Sequence, residues 1–171
     1  MTRIGLLSDT HGVYDPKFAT HFEQCDEIWH AGDIGDYSVV EGLRSIHPGI
    51  TLRCVAGNID GADIRREFGE VQSFKVEDVG VWMTHICGYP GKYAPGVMTQ
   101  IREEKPTIIV GGHSHILKVQ YDNNLNALYL NPGASGYHGW HKVRTLMRFV
   151  INGPEIKDLE VIELAERKLS L

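Results

Sequence analysis

The chain has 171 residues, of which 42% are hydrophobic and 23% are charged. This length and balance fit one compact globular domain over residues 1–171, large enough to bury a full core without disulfide or metal staples. The net charge of −5 and the pI near 6.0 come without a basic stretch. Long-range attraction to nucleic acid or to an anionic membrane is therefore not indicated.

The cysteine pattern and the amino terminus indicate the cell compartment. Cys25, Cys54 and Cys87 are odd in number and form no C-x-x-C pair, which is typical of reduced thiols in a cytosolic protein. No apolar run approaches transmembrane length, and the first predicted strand starts at residue 4, which leaves no room for a signal peptide. We expect a cytoplasmic protein.

Strands and helices alternate in the first half of the chain. Short apolar runs that end in a glycine or a polar turn predict buried strands at 4–7, 27–29, 52–56, 79–83 and 107–110. Helices are predicted at 17–24, 37–46 and 95–104, the last with proline in its first turn. This alternation predicts parallel strands joined by crossover helices.

The second half is richer in strands. Residues 71–77 and 79–84 predict a hairpin that turns at Asp78, and further strands are predicted at 117–121, 127–130, 144–151 and 155–163. Asn152-Gly153 is a strong hairpin-turn signal between the last two. We expect one mostly parallel and one mostly antiparallel sheet with helices outside, and residues 165–171 carry no informative pattern.

A polar motif directly follows each of five predicted strands. In chain order these motifs are Asp9-Thr10-His11, Gly32-Asp33-Ile34-Gly35-Asp36, Gly57-Asn58, Thr84-His85 and Gly112-His113-Ser114-His115. Ligands of open α/β sheets bind outside the carboxyl ends of the strands. Oxygen donors and imidazoles that converge there are what a metal site needs.

Each motif taken alone also has a structural interpretation. An Asp in a loop can cap a turn, Gly-Asn can be a simple turn, and a lone His is more often structural than a ligand. In a continued strand, Asp9 and His11 would lie on one face and could bind one ion. Asp33 could bridge two cations ~3.5–4 Å apart, whereas Asp36 would cap the following helix and His30 would play a structural or supporting role.

Together the motifs predict a binuclear metal site. Two carboxylates, one amide and four histidines on five strand ends are too many ionisable groups for a dry structural network. The donors are nitrogen and oxygen without thiolate, which favours Mn, Fe, Zn, Ni or Co over a structural zinc knot. Two ions fit the number of donors better than one.

The order Asp-x-His, Gly-Asp-x-x-Asp, Gly-Asn, His, Gly-His-x-His resembles the calcineurin-like metallophosphoesterase superfamily. The short length and the Asn131-Pro132-Gly133 turn are similar to its small bacterial and archaeal phosphodiesterase branch. The resemblance runs from Asp9 to Gly133 and implies an α/β fold, a four-layer α-β-β-α sandwich with two mixed β-sheets. It also implies that Asp9, His11 and His115 bind a first metal, that Asn58, His85 and His113 bind a second, and that Asp33 bridges both.

The implied activity is that of a metal-dependent phosphodiesterase. Two divalent ions, manganese first and Fe, Ni, Co or Zn as alternatives, would supply a bridging hydroxide that attacks a small phosphodiester. No nucleic acid polymer or membrane is expected as a partner, and a homodimer is left open. A retromer subunit of the same fold works as a scaffold, so a non-catalytic or lapsed interaction module is the alternative function.

One position departs from the family pattern. Many members carry a proton-donating His after the motif Asn, where this chain has Ile59. Asp60 keeps the acidic position beside it. Leaving groups of low pKa should then be favoured, because general acid catalysis typically contributes ~10²–10⁴-fold. His11 or a water could supply the proton instead.

The loop 88–93 after His85 carries candidate substrate-binding residues. Tyr89 and Tyr93 could stack a base and Lys92 could meet a phosphate; the alternative is a surface loop with one packed tyrosine. Cys87 is expected to pack rather than react. His138, Trp140 and His141 could rim the site or pack on the surface.

Overall fold

The computed structural model describes residues 1–166. The elements in chain order are β1 Thr2–Leu7, α1 Pro16–Phe22, β2 Glu27–His30, α2 Tyr37–Arg44, β3 Thr51–Cys54, α3 Ala62–Phe68, β4 Val71–Val76, β5 Val79–Thr84, β6 Gly88–Tyr89, β7 Lys92–Tyr93, α4 Val97–Glu104, β8 Ile108–Val110, β9 Lys118–Asp122, β10 Ala127–Asn131, β11 Val143–Asn152 and β12 Glu155–Glu166. Most of the patternless tail at 165–171 lies outside the described residues.

Two five-stranded sheets form the middle of the molecule. The first has the strand order β12-β11-β1-β2-β3, and the second has the order β4-β5-β8-β10-β9. Apolar side chains from both sheets, such as Leu6 and Trp29 from one and Met83 and Leu130 from the other, pack in one buried cluster between them.

Helices cover the outer faces of both sheets. A second cluster joins the first sheet to α1, α2 and α3, through residues such as Phe18, Leu43 and Ile64. A third joins the second sheet to α4, through Val97 and Ile101. The prediction of a four-layer α-β-β-α sandwich with two mixed sheets is confirmed.

The simpler expectation of one mostly parallel and one mostly antiparallel sheet is wrong. The β11–β12 hairpin at Asn152-Gly153 does form, but β11 pairs antiparallel with β1 and so joins the first sheet. In the second sheet, β8 lies parallel between β5 and β10, while the predicted β4–β5 hairpin and β9 add antiparallel edges. Sequence patterns fix strand positions, but which edge a distant hairpin joins is decided by long-range pairing.

The helix starts follow local capping chemistry. Asp36 caps α2, as predicted, by accepting a hydrogen bond from the Ser38 amide at 2.9 Å. Helix α4 begins after Pro95, with Gly96 at its N-cap, rather than at the proline itself. Helix α3 was not predicted, because it is seven residues long and its N-cap Gly61 makes no side-chain cap.

The topology brings the polar motifs to common edges. Strands β1, β2 and β3 run parallel, and so do β5 and β8. The loops after these five strands therefore emerge at the carboxyl ends, where the sequence places the motifs. Within residues 1–166, no helix is long and apolar enough to cross a membrane.

Candidate metal centre

Backbone hydrogen bonds tie the five motif loops to one another. The Asp9 amide donates to Gly32 O at 2.9 Å, and the His11 amide donates to Asp33 O at 3.0 Å. Within the second sheet, the Gly112 amide donates to His85 O at 3.0 Å. Two further amides complete the connection: the His113 amide donates to Asp9 Oδ2 at 3.2 Å between the sheets, and the Ile59 amide donates to Asp33 Oδ1 at 3.1 Å. Together these bonds join all five motif loops.

The backbone at the site is left-handed at five of the seven candidate ligands. The φ angles are 54° at Asp9, 47° at His11, 53° at Asp33, 69° at His113 and 61° at His115. Strand β1 ends at Leu7, so the expectation that Asp9 and His11 share a face of a continued strand is wrong. Left-handed residues other than glycine cost roughly 1–3 kcal/mol each and concentrate at functional sites.

Two groups of donors form inside this ring of loops. Asp9, His11 and His115 present ligand atoms within 4.8 Å of one another, and Asp33, His85 and His113 do the same. Asp9 Oδ1 lies 3.1 Å from His115 Nε2. Asn58 belongs with the second group, because its Oδ1 lies 3.1 Å from His85 Nε2 and 3.0 Å from His113 Nδ1. The grouping matches the one implied by the resemblance.

Asp33 lies between the two groups. Its Oδ2 is 3.2 Å from His85 Nε2 in the second group and 3.5 Å from His11 Nε2 in the first. A glycine at position 57 makes this placement feasible, because a Cβ there would overlap the Asp33 carboxylate. One carboxylate oxygen therefore reaches donors of both groups.

The donor atoms fit divalent cations. His85 Nδ1 lies 2.7 Å from Ala31 O, a carbonyl that can only accept, so Nδ1 carries the proton and Nε2 offers its lone pair. The buried Nε2 of His11 has no hydrogen-bond partner among the described residues. A pair of cations would neutralise the two buried carboxylates and would give the His11 nitrogen a partner.

The pKa values of the candidate ligands are shifted by burial and by the neighbouring ionisable groups. Burial raises the pKa of Asp9, but the imidazoles of His11 and His115 outweigh it and hold that pKa well below its usual range. Burial also opposes ionisation of Asp33, yet the neighbouring His85 lowers its pKa. Burial lowers the pKa of His85, but hydrogen bonding to Asp33 and the charge of Asp9 raise it overall. The carboxylates and the His85 imidazole therefore favour each other's charged forms.

Ser8 and Asp60 support the site, and sequence analysis did not assign them this role. Ser8 Oγ donates to Asp9 Oδ2 at 2.6 Å. The buried Asp60 carboxylate accepts three backbone amides, from Gly57 at 2.7 Å, Ile34 at 3.1 Å and Gly35 at 2.8 Å. Asp60 thus joins the Asp33 loop to the Asn58 loop. The available signal was a serine directly before the first ligand and an acidic residue in the Gly-Asn turn.

His30 has the supporting role that the sequence indicated. Gly32 N donates to its Nδ1 at 3.1 Å, so the proton sits on Nε2 and is donated to Thr10 Oγ1 at 3.0 Å. Complete burial lowers the pKa of His30 to about 4, which keeps the ring neutral. These two hydrogen bonds of His30 fix the backbone between the end of β2 and Asp33 and link it to the Asp9 loop.

A cavity of about 490 Å³ opens above the donors. Its wall contains five of the seven candidate ligands and three exposed apolar side chains. The lining residues are His11, Asp33, Asn58, Ile59, His113, Ser114, His115, Ile116, His138, Gly139, Trp140 and His141. His138 and His141 therefore rim the site. The His138 ring stacks on His11 with 4.6 Å between ring centres, and the His141 ring meets His115 edge-on with 5.2 Å between ring centres. No Lys or Arg belongs to this lining.

The loop after His85 lies beside this cavity. Tyr89 and Lys92 line an adjacent hollow of about 340 Å³, which shares His113 and Ser114 with the site. Tyr93 packs inward, with its hydroxyl donating to Asp122 Oδ2 at 2.7 Å. Cys87 is fully buried, and burial raises the pKa of its thiol to about 12, as expected for a packing residue.

The sandwich fold and the donor-lined cleft at its strand ends define a phosphoesterase-type domain. Residues 2–153 match the calcineurin-like phosphoesterase superfamily domain, and the chain belongs to that superfamily. This membership supports a hydrolase acting on phosphoester bonds. No curated protein matches the chain significantly.

Solved structures share the fold at low sequence identity. A Streptococcus pneumoniae protein described as a predicted phosphoesterase is 20% identical, with a TM-score of 0.67 over 95% of this chain and 89% of that one. A Thermotoga maritima protein is 23% identical, with a TM-score of 0.68 over 96% and 100%. Entamoeba histolytica Vps29 complexed with Zn²⁺ is 14% identical, with a TM-score of 0.72 over 97% and 99%.

The charge balance of the site predicts how stability depends on pH after metal removal. The low pKa values of Asp9 and Asp33 stabilise the fold above the pKa of an unfolded Asp, and this contribution is lost as the pH falls through their folded values. The raised pKa of His85 stabilises the fold below the pKa of an unfolded His and is lost as the pH rises through its folded value.

The urea midpoint of chelator-treated protein should therefore be highest between about pH 4 and about pH 6.5, the ordinary pKa values of Asp and His. The variant His85→Gln should lose the decline on the alkaline side, because it has no titrating imidazole. An alkaline decline of the same size in His85→Gln would contradict the assignment.

Proposed function

We propose that the protein is a binuclear metal-dependent phosphodiesterase that hydrolyses small phosphodiesters. The observation that carries the proposal is the Asp33 carboxylate, whose Oδ2 reaches ligand atoms of both donor groups. Superfamily membership supports phosphoester hydrolysis as the reaction class. The diester preference and the metal dependence go beyond this reaction class and rest on the geometry of the site.

Seven side chains would hold the two ions. Asp9, His11 and His115 would bind one, Asn58, His85 and His113 the other, with Asp33 shared. When bound, the ions supply Lewis acidity that activates water and neutralises phosphate oxygens. The mixed nitrogen and oxygen donors suit manganese first, with Fe, Ni, Co or Zn as alternatives, and Zn²⁺ in Vps29 supports the view that this fold accepts a transition metal.

The chain's own residues prepare this site. Ser8 and the His113 amide orient Asp9 by donating to its Oδ2 at 2.6 Å and 3.2 Å. The Ile59 amide donates to Asp33 Oδ1 at 3.1 Å, which leaves Oδ2 for the site. The carbonyl of Ala31 holds the His85 proton on Nδ1. Such outer contacts fix ligand orientation and typically account for 10–100-fold in metal affinity.

The lining of the cavity supports a diester over a monoester. A phosphodiester carries one negative charge and two organic arms, whereas a monoester carries close to two charges. The described lining offers no Lys or Arg for extra charge, and it does offer the exposed apolar side chains of Ile59 and Ile116. The same lack of cations argues against a nucleic acid polymer as substrate.

Location and partners complete the proposal. Cys25, Cys54 and Cys87 are buried free thiols, which supports the cytoplasm as the compartment. No membrane is proposed as a partner, and a homodimer is left open. A lapsed scaffold is the second candidate, supported by exposed Ile59 where many family members have a proton donor. Metal content combined with turnover of an activated diester separates the two.

The first prediction concerns metal content. Reconstitution with manganese should give about two ions per chain, as measured by elemental analysis. Asp33→Ala should lose both ions and turnover, because the shared carboxylate is gone. His11→Ala should bind metal more weakly than the unmodified protein but retain more metal than Asp33→Ala, because Asp9 and His115 remain.

Asp36→Asn is the matched control, because it removes a nearby carboxylate that only caps α2 and should leave metal content unchanged. Less than about half an ion per chain across Mn, Fe, Ni, Co and Zn would end the binuclear hypothesis. Full metal and turnover in Asp33→Ala would show that another group bridges.

The second prediction concerns the leaving group. With isoleucine at position 59, negative charge on the departing oxygen is not met by a proton from that position, so 4-nitrophenyl diesters should react far faster than alkyl diesters. Ile59→His should narrow this gap by as much as ~10²-fold, because general acid help is worth ~10²–10⁴.

Ile59→Leu controls for the change of shape alone. The measurement is the slope of log kcat against leaving-group pKa for the three proteins. A shallow slope in the unmodified protein would mean that another group, such as His11 or a water, already donates the proton.

The third prediction concerns the loop of Tyr89 and Lys92, which we propose binds the substrate beyond its phosphate. The double variant Tyr89→Ala/Lys92→Ala should raise KM for an extended diester and leave metal content intact, because neither residue belongs to the donor groups. Loss of metal together with activity on every substrate would show that the loop supports the metal site instead.

A further inference from the structure

Trp140 is the most exposed large hydrophobic side chain of the described residues, with 98% of its surface accessible. The other two tryptophans of the chain, Trp29 and Trp82, are buried at 0% and 1%. An indole that buries none of its large apolar surface gives up a substantial part of the stabilisation that core tryptophans provide. Its apolar surface would be stabilised by contact with another molecule.

The loop that presents Trp140 is firmly attached to the metal centre. Its Gly136 amide donates to Asp9 O at 3.1 Å, and His141 Nε2 donates to Gly136 O at 2.8 Å. The buried Arg144 guanidinium lies 3.9 Å over the Tyr137 ring and donates to Asp15 Oδ2 at 2.7 Å. The exposed indole therefore projects from an anchored base.

Trp140 belongs to the wall of the site itself. It lines the 490 Å³ cavity above the donor groups and a neighbouring cavity of about 530 Å³, and His11 and His138 line both. Ile59 at 46% exposure and Ile116 at 66% add apolar surface from two other loops. The proposed phosphate-binding centre is thus flanked by apolar surface with an aromatic face on one side.

Tyr89 is a weaker platform than Trp140. The Lys118 ammonium already lies 4.6 Å from the centre of its ring and occupies one face. Its hollow also meets the site only at His113 and Ser114. An aromatic group attached to a phosphate in the site would therefore find its open stacking face at Trp140.

We propose that one ester arm of the substrate carries a planar aromatic ring, of the nucleobase class, that stacks on Trp140. This inference rests on the proposed phosphodiesterase function and names its substrate class. Stacking on an indole tolerates any base, because every base has a π-face. The absence of Lys and Arg from the site lining argues against a second phosphate as the recognised feature of that arm.

Tryptophan fluorescence tests the stacking without relying on activity. Since Trp29 and Trp82 are buried, quenching by iodide reports mainly on Trp140. Thymidine 5′-phosphate added to the manganese-loaded protein should quench the emission and protect it from iodide, whereas ribose 5-phosphate should do neither. Trp140→Phe should abolish both effects. Equal effects of the two phosphates would overturn the proposal.

Kinetics with a shared leaving group test the same contact in turnover. Thymidine 5′-(4-nitrophenyl) phosphate should be preferred over methyl 4-nitrophenyl phosphate by kcat/KM. Trp140→Ala should reduce this preference roughly ten- to hundredfold, mainly through KM, and Trp140→Phe should restore most of it. Tyr121→Ala, which removes an aromatic side chain 52% exposed on β9 and outside both cavities, should leave the preference unchanged.

Two further results separate the alternatives. If benzyl 4-nitrophenyl phosphate has the same kcat/KM as the thymidine diester, the ring that stacks on Trp140 can be any aryl group. If its kcat/KM is lower, the ring belongs to a nucleoside. If no diester is hydrolysed, the proposed function fails, and the fluorescence result alone decides the stacking. If the methyl diester is hydrolysed and Trp140→Ala leaves the preference intact, the stacking proposal fails and the phosphodiesterase proposal stands.

Discussion

The site depends on a buried carboxylate held between two groups of imidazoles. Asp33 Oδ2 lies 3.2 Å from His85 Nε2 and 3.5 Å from His11 Nε2, in a place where few other charges are available to balance it. A buried charge that is left unpaired is strongly destabilising, so this arrangement requires either protonated imidazoles or cations. The positions of the five loops, the tautomer of His85 and the glycine at position 57 are all consistent with that one requirement.

The backbone strain of the ligand loops is offset by hydrogen bonds from residues that surround the candidate ligands. Five candidate ligands adopt left-handed backbone angles, each of which costs free energy on its own. The Asp60 carboxylate accepts three backbone amides from two of these loops, and Ser8 and His30 hold the first two strand ends. Contacts of this kind fix the orientation of metal ligands, so the hydrogen bonds around the loops support the geometry of the donor groups.

The sequence predicts this site better than it predicts the frame around it. The five motifs follow strands directly, so their convergence follows from parallel pairing, and the donor groups have the membership that the resemblance implies. The left-handed backbone angles at Asp9 and His11 have no signal in the sequence, because the alternation of side chains along a strand does not predict the backbone conformation beyond the end of that strand. Helix α3 has no clear sequence signal, because it is short and lacks a side-chain cap. The placement of β11 beside β1 is a long-range choice that no local pattern encodes.

The wall of the cavity determines what can approach the strained centre. Ile59, Ile116 and Trp140 come from three loops that are far apart in sequence, so no local pattern reveals that they share one rim. Cations at the donor groups would concentrate positive charge at the base of the cavity, and the apolar rim would lower the local dielectric around a bound phosphate. Under the proposed function, selectivity would then depend on the organic arms of the ester rather than on further charge. Under the stacking proposal, the anchored loop that keeps the Trp140 indole in water would give up stability in the free protein and recover it when an aromatic arm binds.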